Sequence, residues 1–518
     1  NCCCFVFLPA VSLMTSSSPP AKWRPLECLE EKTREKDVPP NPQLDRLLGR
    51  MDPNPTGITT SAAQNGTFVG LQRDVDTQFI TGSKMYEVLA ALKRMAWIVP
   101  LAYTYLWTAA IFAMFPPFYP GLATSRGLEA WKFGFVFSAL KCGMSLGSFS
   151  IRKMMTWLSP TKTYLLGQAG ALLFCLCFGS LYWAPSANTL LWLSLFTFIL
   201  GGIFLMILIV TMYAAANSVC SSNPGVLAGT MEAIYGIGNM IGSVTGGALI
   251  DLWAFPLPFF VVGVVQALSS PFVAIYGIIP KERPQDSAPK ARIMQKIEGA
   301  KFWFLLTDPE FLVCAISFAF NWILMGFNQT TLEPHLSQFQ LSSTHLGEIY
   351  MVQSAGYVIA SVLSAIFCNM QKERSFLFVC HVMAVVAYLI VGPIPYIPIS
   401  PNLWMAGSAQ LGIGIATSAY FVCSSCLLNT TALSRGCPDN LQTTSFVSSV
   451  TFGCAVLCAC ITAPTAGYVS GTYGYRTASM VLFGVLFAWT PVLLILWLRP
   501  SLLRGSKRFR YPSQENYI

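Results

Sequence analysis

The feature that most constrains this chain is a series of about a dozen apolar runs between Met95 and Pro500. Each run is long enough for an α-helix to cross the hydrocarbon layer, which takes roughly twenty residues. Inside lipid a helix satisfies its own backbone hydrogen bonds, and few other structures can do so. The sequence therefore predicts an all-α integral membrane protein with many spans, a class in which solute transport is the leading function.

The composition agrees with membrane insertion. Of the 518 residues, 54% are hydrophobic and 11% are charged, whereas a soluble domain carries about 25% charged residues. The formal net charge of +9 comes from basic residues in loops and tails beside the apolar runs, which is a topology signal and not a nucleic-acid surface. We therefore predict a lipid bilayer and a small-molecule substrate as partners, no nucleic acid, and a monomer.

Twelve spans are predicted, and a polar stretch at residues 281–301 divides them six and six. The expected fold is thus two six-helix bundles. The predicted spans cover residues 95–115, 131–150, 163–183, 189–216, 225–250, 256–279, 310–333, 344–370, 376–396, 402–429, 443–470 and 477–498.

The segments outside the spans are polar. Residues 1–90 are rich in Pro, Ser, Thr and charge and cannot bury enough apolar surface to fold alone, which predicts a disordered tail. The predicted order is this tail, a first bundle at 91–280, a linker at 281–305, a second bundle at 306–500 and a basic tail at 501–518. Because most loop Lys and Arg residues fall on one side, the linker, both tails and both termini are predicted to be cytosolic.

An internal echo suggests two related halves. The fifth span reads GNMIGSVTGGALI from Gly238, and the eleventh reads CACITAPTAGYVS from Cys458, so that the surroundings of Gly246 resemble those of Gly467. Repeat-built transporters place their site at the interface between the halves.

Glycines recur every fourth residue in the fifth span. Gly238, Gly242 and Gly246, with Gly247 beside the last, line one face of a helix and would let a neighbour come close. Close contact during rocking of the bundles and simple static packing are both consistent with this pattern.

Three charged residues stand out within the predicted spans, because charge deep in a bilayer is costly and points to function. Glu232 is either a carboxylate that faces a central cavity and binds a proton or a cation, or a residue that pairs locally near the surface. Lys141 would attract an anion or pair with a carboxylate. Glu333, next to Pro334, fits the rim of the luminal side of the membrane.

Uncharged polar and aromatic residues complete the candidate site. The polar candidates are Asn321, Gln353, Tyr357 and Gln410. Organic cations favour aromatic walls through cation–π attraction, and Tyr103, Tyr105, Trp107, Tyr235 and Trp322 could supply such walls.

Enzyme and metal motifs are missing from the sequence. There is no phosphate-binding glycine loop, no HExxH and no GxSxG, and the chain has only three histidines. Cys423 and Cys426 form a lone C-x-x-C inside an apolar run, without a second ligand pair. We predict neither an enzyme, nor a cofactor, nor a metal site.

Four stretches resemble the major facilitator superfamily, and within it the vesicular amine transporter family (solute carrier family 18), most closely its vesicular polyamine transporter branch. They read FPPFYP, GTMEAIYGIGNMIGSVTGGALIDLWAFPLPFFVVG, GFNQTTLEPHLSQFQLSSTHLGEIY and GPIPYIPISPNLW. The resemblance implies proton-coupled antiport of organic cations into acidic vesicles by two rocking six-helix bundles. It also implies that Glu232 is the family's fifth-span glutamate and that Glu333 is the acidic residue of its L-[DE]-P element.

Other positions depart from the family pattern. The fifth-span motif has Ser243 where the family has proline, although Pro464 keeps it in the second copy. Phe198 and Gly201 stand where the family carries an arginine and an acidic residue. These departures keep open a second reading, a transport-inactive membrane scaffold or receptor. The expected location is a vesicular or other internal membrane, with the plasma membrane as the alternative.

Overall fold

The structure, a computed structural model, describes residues 98–219, 224–277, 304–392, 402–437 and 441–498. Both predicted tails and most of the predicted linker lie outside the described residues. Twelve helices within the described ranges are long and apolar enough to cross a membrane. The prediction of a twelve-span, all-α membrane protein built as two six-helix bundles is therefore confirmed.

We number these helices as spans 1 to 12. Spans 1 to 6 are Ile98–Ser125, Ala130–Trp157, Pro160–Ser180, Ala187–Val219, Pro224–Leu252 and Pro256–Tyr276, and spans 7 to 12 are Pro309–Leu336, Ser343–Asn369, Glu373–Val391, Leu403–Ser434, Leu441–Tyr473 and Tyr475–Leu498. We call the membrane face at which span 1 begins the near face, and the face at which it ends the far face.

Span 1 is longer than predicted because prolines do not end it. The prediction stopped at Phe115, yet the helix continues through Pro116, Pro117 and Pro120. A proline lacks the N–H that would bond to the carbonyl four residues earlier, and membrane helices tolerate this where a neighbour satisfies that carbonyl. Here the Tyr350 hydroxyl of span 8 donates to the carbonyl oxygen of Pro116 over 3.5 Å.

Span 6 is broken near its near-face end. It consists of the helices Pro256–Ala267 and Ser270–Tyr276. The Ser269 hydroxyl at the break lies 2.7 Å from the Thr104 hydroxyl and accepts from Gln168 Nε2 at 2.6 Å. The break thus sits inside a buried polar network of the first bundle and is stabilised by it.

Two long interfaces join the bundles. In the 5/8 interface, spans 5 and 8 touch at Gly247 and Ser343 near the far face and at Gly229 and Ala365 near the near face. In the 2/11 interface, spans 2 and 11 touch near the far face, where a side chain at Gly134 would meet Ala463 and Pro464. Small residues let the backbones approach at each of these points.

Candidate functional site

Glu232 lies inside the protein, on the 5/8 interface. It is the ninth residue of span 5, and only 4% of it is exposed. The Tyr213 hydroxyl of span 4 donates to its Oε1 at 2.6 Å, and the Tyr357 hydroxyl of span 8 donates to its Oε2 at 2.6 Å. One oxygen of the carboxylate is therefore bonded to its own bundle and the other to the opposite bundle.

Four tyrosines form a box around this carboxylate. The hydroxyls of Tyr105 and Tyr213 are 3.3 Å apart, and their rings meet edge to face with centroids 5.8 Å apart. The Tyr235 ring centroid lies 6.0 Å from that of Tyr105 and 6.3 Å from that of Tyr357. Such an array of aromatic faces and phenolic oxygens beside one carboxylate can hold an organic ammonium ion.

The Glu232 carboxylate has no cationic partner among the described residues. Every ion pair in these ranges involves another acid. A buried charge without a counter-charge is costly, so two tyrosine hydrogen bonds are what the protein itself supplies to it. One added proton or one added cation would therefore neutralise the carboxylate.

Lys141 lies inside the protein near the other interface, between spans 2 and 11. It is the twelfth residue of span 2, and 5% of it is exposed. Its ammonium group lies 4.6 Å from the ring centroid of Trp322, which belongs to span 7. Like Glu232, it forms no ion pair within the described residues.

The remaining predicted polar residues fall into separate places in the second bundle. Gln410 is buried and accepts from Asn328 Nδ2 at 3.0 Å, which makes it part of a network within that bundle. Asn321 is also buried, and its Oδ1 has no hydrogen-bond partner. The backbone of Gln353 packs against Gly414 of span 10.

Glu333 lies far along span 7, three residues before its end at Leu336. A methyl group added at Gly121 of span 1 would come within 3.2 Å of its Oε1. Glu333 therefore belongs to the far-face end of the contact between spans 1 and 7, and the structure does not bring it into the Glu232 box.

The predicted glycines divide between two neighbours. Side chains at Gly238, Gly242 and Gly246 would strike span 1, whereas one at Gly247 would strike Ser343 of span 8. Pro464 of the eleventh span packs on Gly134 of span 2. The glycine face of span 5 therefore packs mainly within its own bundle, with only its last member on the interface.

Sequence reasoning missed two residues that the structure places at the 5/8 interface. Tyr213 carried no local signal, because nothing in the sequence shows which face of span 4 meets Glu232. Asp251, near the end of span 5, accepts from the backbone N–H groups of Ser343 at 3.1 Å and Thr344 at 2.8 Å, and from the Thr344 hydroxyl at 2.6 Å. It thus caps the first turn of span 8 from the opposite bundle.

The fourth-span departure is explained by packing. Phe198 is fully buried, and its ring lies 5.1 Å from that of Phe178 and 5.3 Å from that of Phe115. Gly201 gives the Phe174 ring the space it needs. Where the family resemblance implies charged residues, this chain therefore has an aromatic core, which leaves Glu232 as the deep acid of the first bundle.

Ion pairs lie at the near face of the second bundle. Arg435 contacts Asp308 at 2.6 Å and Glu310 at 3.8 Å, and Arg374 also pairs with Glu310. These bonds tie spans 7 and 9 to the end of span 10. Within the described ranges, no three His, Cys, Asp or Glu side chains converge into a metal site.

Comparison with known proteins shows the family. The sequence profile of the Major Facilitator Superfamily matches residues 101–436, and the chain belongs to this superfamily of membrane transporters. It is similar to the MFS-type transporter SLC18B1 of Mus musculus, with 23% identity over 407 residues that cover 76% of this chain and 85% of the mouse protein. The human protein of the same name is 22% identical over 65% of this chain and 72% of its own length. The resemblance to solute carrier family 18 is thus supported.

Solved structures agree on the fold. The nucleoside transporter NupG matches with a TM-score of 0.56 and 10% identity over 77% of this chain and 98% of its own. The human organic anion transporter MFSD10 (TETRAN) matches with a TM-score of 0.53 and 16% identity over 76% of this chain and 98% of its own. At these identities the likeness concerns architecture alone.

Proposed function

We propose that this protein moves a small organic cation, an amine or a polyamine, across an internal membrane in exchange for protons, and that Glu232 binds both. The observation that carries the proposal is the buried Glu232 carboxylate, which two tyrosine hydroxyls hold and no cation of the described residues neutralises. The similarity to the MFS-type transporter SLC18B1 supports membrane transport of a small solute.

Exchange follows from the single negative charge. A proton on the carboxylate removes the charge that an ammonium group needs, and a bound ammonium group disfavours the proton. Cargo and proton therefore compete for one site. A carrier whose bundles change position with either ligand bound, but slowly when empty, then exchanges one for the other.

Tyr357 links this site to the movement of the bundles. Its hydroxyl crosses the 5/8 interface to Glu232, so the bundles cannot separate there without losing a charged hydrogen bond. Such a bond contributes roughly 1.5–3 kcal/mol. Protonation or cargo binding weakens the charge that Tyr357 feels, which lowers the cost of separation.

The test is transport by the purified protein in lipid vesicles with an imposed pH gradient. We expect uptake of a labelled amine that collapses with the gradient, and a fall of at least about tenfold in Glu232→Gln, which corresponds to roughly 1.4 kcal/mol. The matched control is Glu348→Gln, because Glu348 is exposed and pairs only with His345. Equal uptake by Glu232→Gln and the parent would remove this residue from the mechanism.

The same assay addresses the scaffold or receptor reading. A transport-inactive protein would bind amines in detergent yet accumulate none in vesicles under any gradient. Orientation is tested separately, since both termini are proposed to be cytosolic. Epitope tags at each end should be reachable in intact vesicles whose cytosolic side faces out.

A further inference from the structure

The two deepest charges of the described chain have opposite signs and lie on opposite interfaces. Glu232 is the ninth residue of its helix and Lys141 the twelfth. Every other Asp, Glu, Lys or Arg of the described ranges lies outside a helix or within six residues of a helix end. Within the described ranges, the membrane interior therefore contains one deep carboxylate and one deep ammonium group.

Lys141 has no acid to pair with in the described ranges. Glu129, Glu310, Asp308 and Glu348 pair with other bases, and Asp251 binds the first turn of span 8. The charge of Lys141 is instead met by the face of the Trp322 ring, 4.6 Å away. A cation–π contact offsets only part of the cost of burying an ammonium group.

A second unused donor belongs to the same ring. The indole nitrogen of Trp322 is buried and has no hydrogen-bond acceptor. Buried donors are seldom left unpaired, because a buried polar group without a hydrogen bond loses its interaction with water and gains nothing in return. The ammonium group of Lys141 thus lacks an anionic partner, and the indole N–H of Trp322 lacks an acceptor. A small anion would meet both needs.

The nearby side chains do not supply that anion. The Cys460 and Cys142 sulfur atoms contact each other at 3.5 Å, and the Ser138 hydroxyl donates to the carbonyl oxygen of Cys460 at 2.8 Å. These groups are thiols and a hydroxyl, and none is a carboxylate.

From this geometry we infer that the cargo is zwitterionic: its ammonium end binds Glu232, and a carboxylate or similar anionic end binds Lys141 and the indole N–H of Trp322. The inference rests on the proposed function and narrows its cargo from an amine or a polyamine to an amine that also carries an anionic group. A diammonium cargo would bring two positive charges to one carboxylate and would be repelled by Lys141. A zwitterion pairs both protein charges, and the net charge of the loaded core is zero.

Three probes of equal chain length separate these cases: aminohexanoate, hexylamine and diaminohexane. They differ only in whether the second end is a carboxylate, a methyl group or an ammonium group. Each is tested as a competitor of labelled amine uptake in vesicles, and as a ligand that raises the Tm of the purified protein. We expect aminohexanoate to bind at least about tenfold more tightly than hexylamine, and diaminohexane to be the weakest of the three.

Variants of Lys141 test whether this residue binds the anionic end of the cargo. Lys141→Gln should abolish the preference for aminohexanoate over hexylamine and improve diaminohexane, whereas Lys141→Arg should keep the parent order. Lys132→Gln is the matched control, because Lys132 is partly exposed and pairs with Glu129 outside the core. It should change none of the ratios.

The outcomes distinguish this inference from the proposed function. If diaminohexane binds as tightly as aminohexanoate in the parent protein, the zwitterion is wrong, whatever the variants do. Amine uptake that depends on Glu232 but shows the same probe ratios in Lys141→Gln would overturn the inference and leave the proposed function standing. If none of the three probes binds or competes, both proposals fail.

Discussion

The 5/8 and 2/11 interfaces share one plan of packing. Near the far face, a side chain at Gly347 of span 8 would strike Ser243 of span 5, and one at Gly134 of span 2 would strike Pro464 of span 11. Ser243 and Pro464 each stand three residues before the two glycines that the internal echo aligns, Gly246 and Gly467. The same contact is therefore made twice, once by each half of the sequence.

The chemistry of the two interfaces differs although the packing matches. The 5/8 interface carries a carboxylate held by tyrosines, and Asp251 caps span 8 across it. The 2/11 interface carries an ammonium group over a tryptophan. A repeated backbone contact is thus shared by two interfaces that differ in the charged side chain buried at each.

The largest effect is expected where the shared packing is broken. Gly347→Leu forces a side chain into the backbone of Ser243, and overpacking of a tight contact costs about 1–3 kcal/mol or more. We expect at least a tenfold loss of folded, transport-competent protein, measured by size-exclusion yield and vesicle uptake. Gly134→Leu should do the same at the other interface.

The matched control is Gly484→Leu in span 12. A side chain at this position would meet nothing within 4 Å, and its host helix is also a membrane span. Normal yield and uptake are expected. If only one of the two interface variants were damaging, the shared plan of packing would be wrong.

The sequence was sufficient to predict the architecture, because apolar length and the placement of basic residues are local signals. It predicted twelve spans and the division into halves, and it left open whether Glu232 faces the interior or pairs locally near the surface. It missed the continuation of span 1 past Phe115. The carbonyl oxygen of Pro116, which loses its helical donor to Pro120, is satisfied by Tyr350, more than two hundred residues away. A long-range partner of this kind leaves no trace in local sequence.

The site itself was predicted only in part. Glu232 and Tyr357 were singled out separately, and their hydrogen bond could not be foreseen, because the register between spans 5 and 8 is set by packing. Gln410 and Glu333 were candidates on the same grounds of polarity, yet they lie in an internal network and at the far-face rim. Polarity identifies candidate residues, but the direction in which each side chain points decides which of them share a site.

The second prediction compares two bonds on one carboxylate. Tyr357→Phe removes a hydrogen bond that crosses the 5/8 interface, and Tyr213→Phe removes one within the first bundle, each over 2.6 Å. Loss of a hydrogen bond to a charged group costs about 1.5–3 kcal/mol. Both variants should weaken amine binding by roughly tenfold or more.

Only Tyr357→Phe should also loosen the interface. Hydrogen–deuterium exchange of residues 243–252 and 343–350 should speed up in this variant and stay at the parent rate in Tyr213→Phe. Equal exchange in the two variants would mean that Glu232 binds cargo without coupling to the position of the bundles.

The smallest effect tests a position at which the repeated contact differs, Ser243 against Pro464. Because Pro464 has no N–H, the carbonyl oxygen of Cys460 lacks its helical donor, and the Ser138 hydroxyl of span 2 donates to it at 2.8 Å. In span 5 the Ser243 hydroxyl instead donates to the carbonyl oxygen of Asn239 in its own helix at 2.9 Å. The proline thus turns an internal helix bond into a bond between bundles.

We expect Ser138→Ala to destabilise the protein by about 0.5–1.5 kcal/mol, the usual contribution of one neutral hydrogen bond. In a Pro464→Ser background the restored N–H pairs with Cys460, so the same substitution should cost clearly less. A double-mutant cycle on Tm or on the free energy of unfolding measures the difference directly. Ser243→Ala provides the comparison from the other interface and should show no coupling to span 8. If Ser138→Ala cost the same in both backgrounds, the Ser138 bond would not depend on the proline, and the contrast between the two interfaces would reduce to their charges.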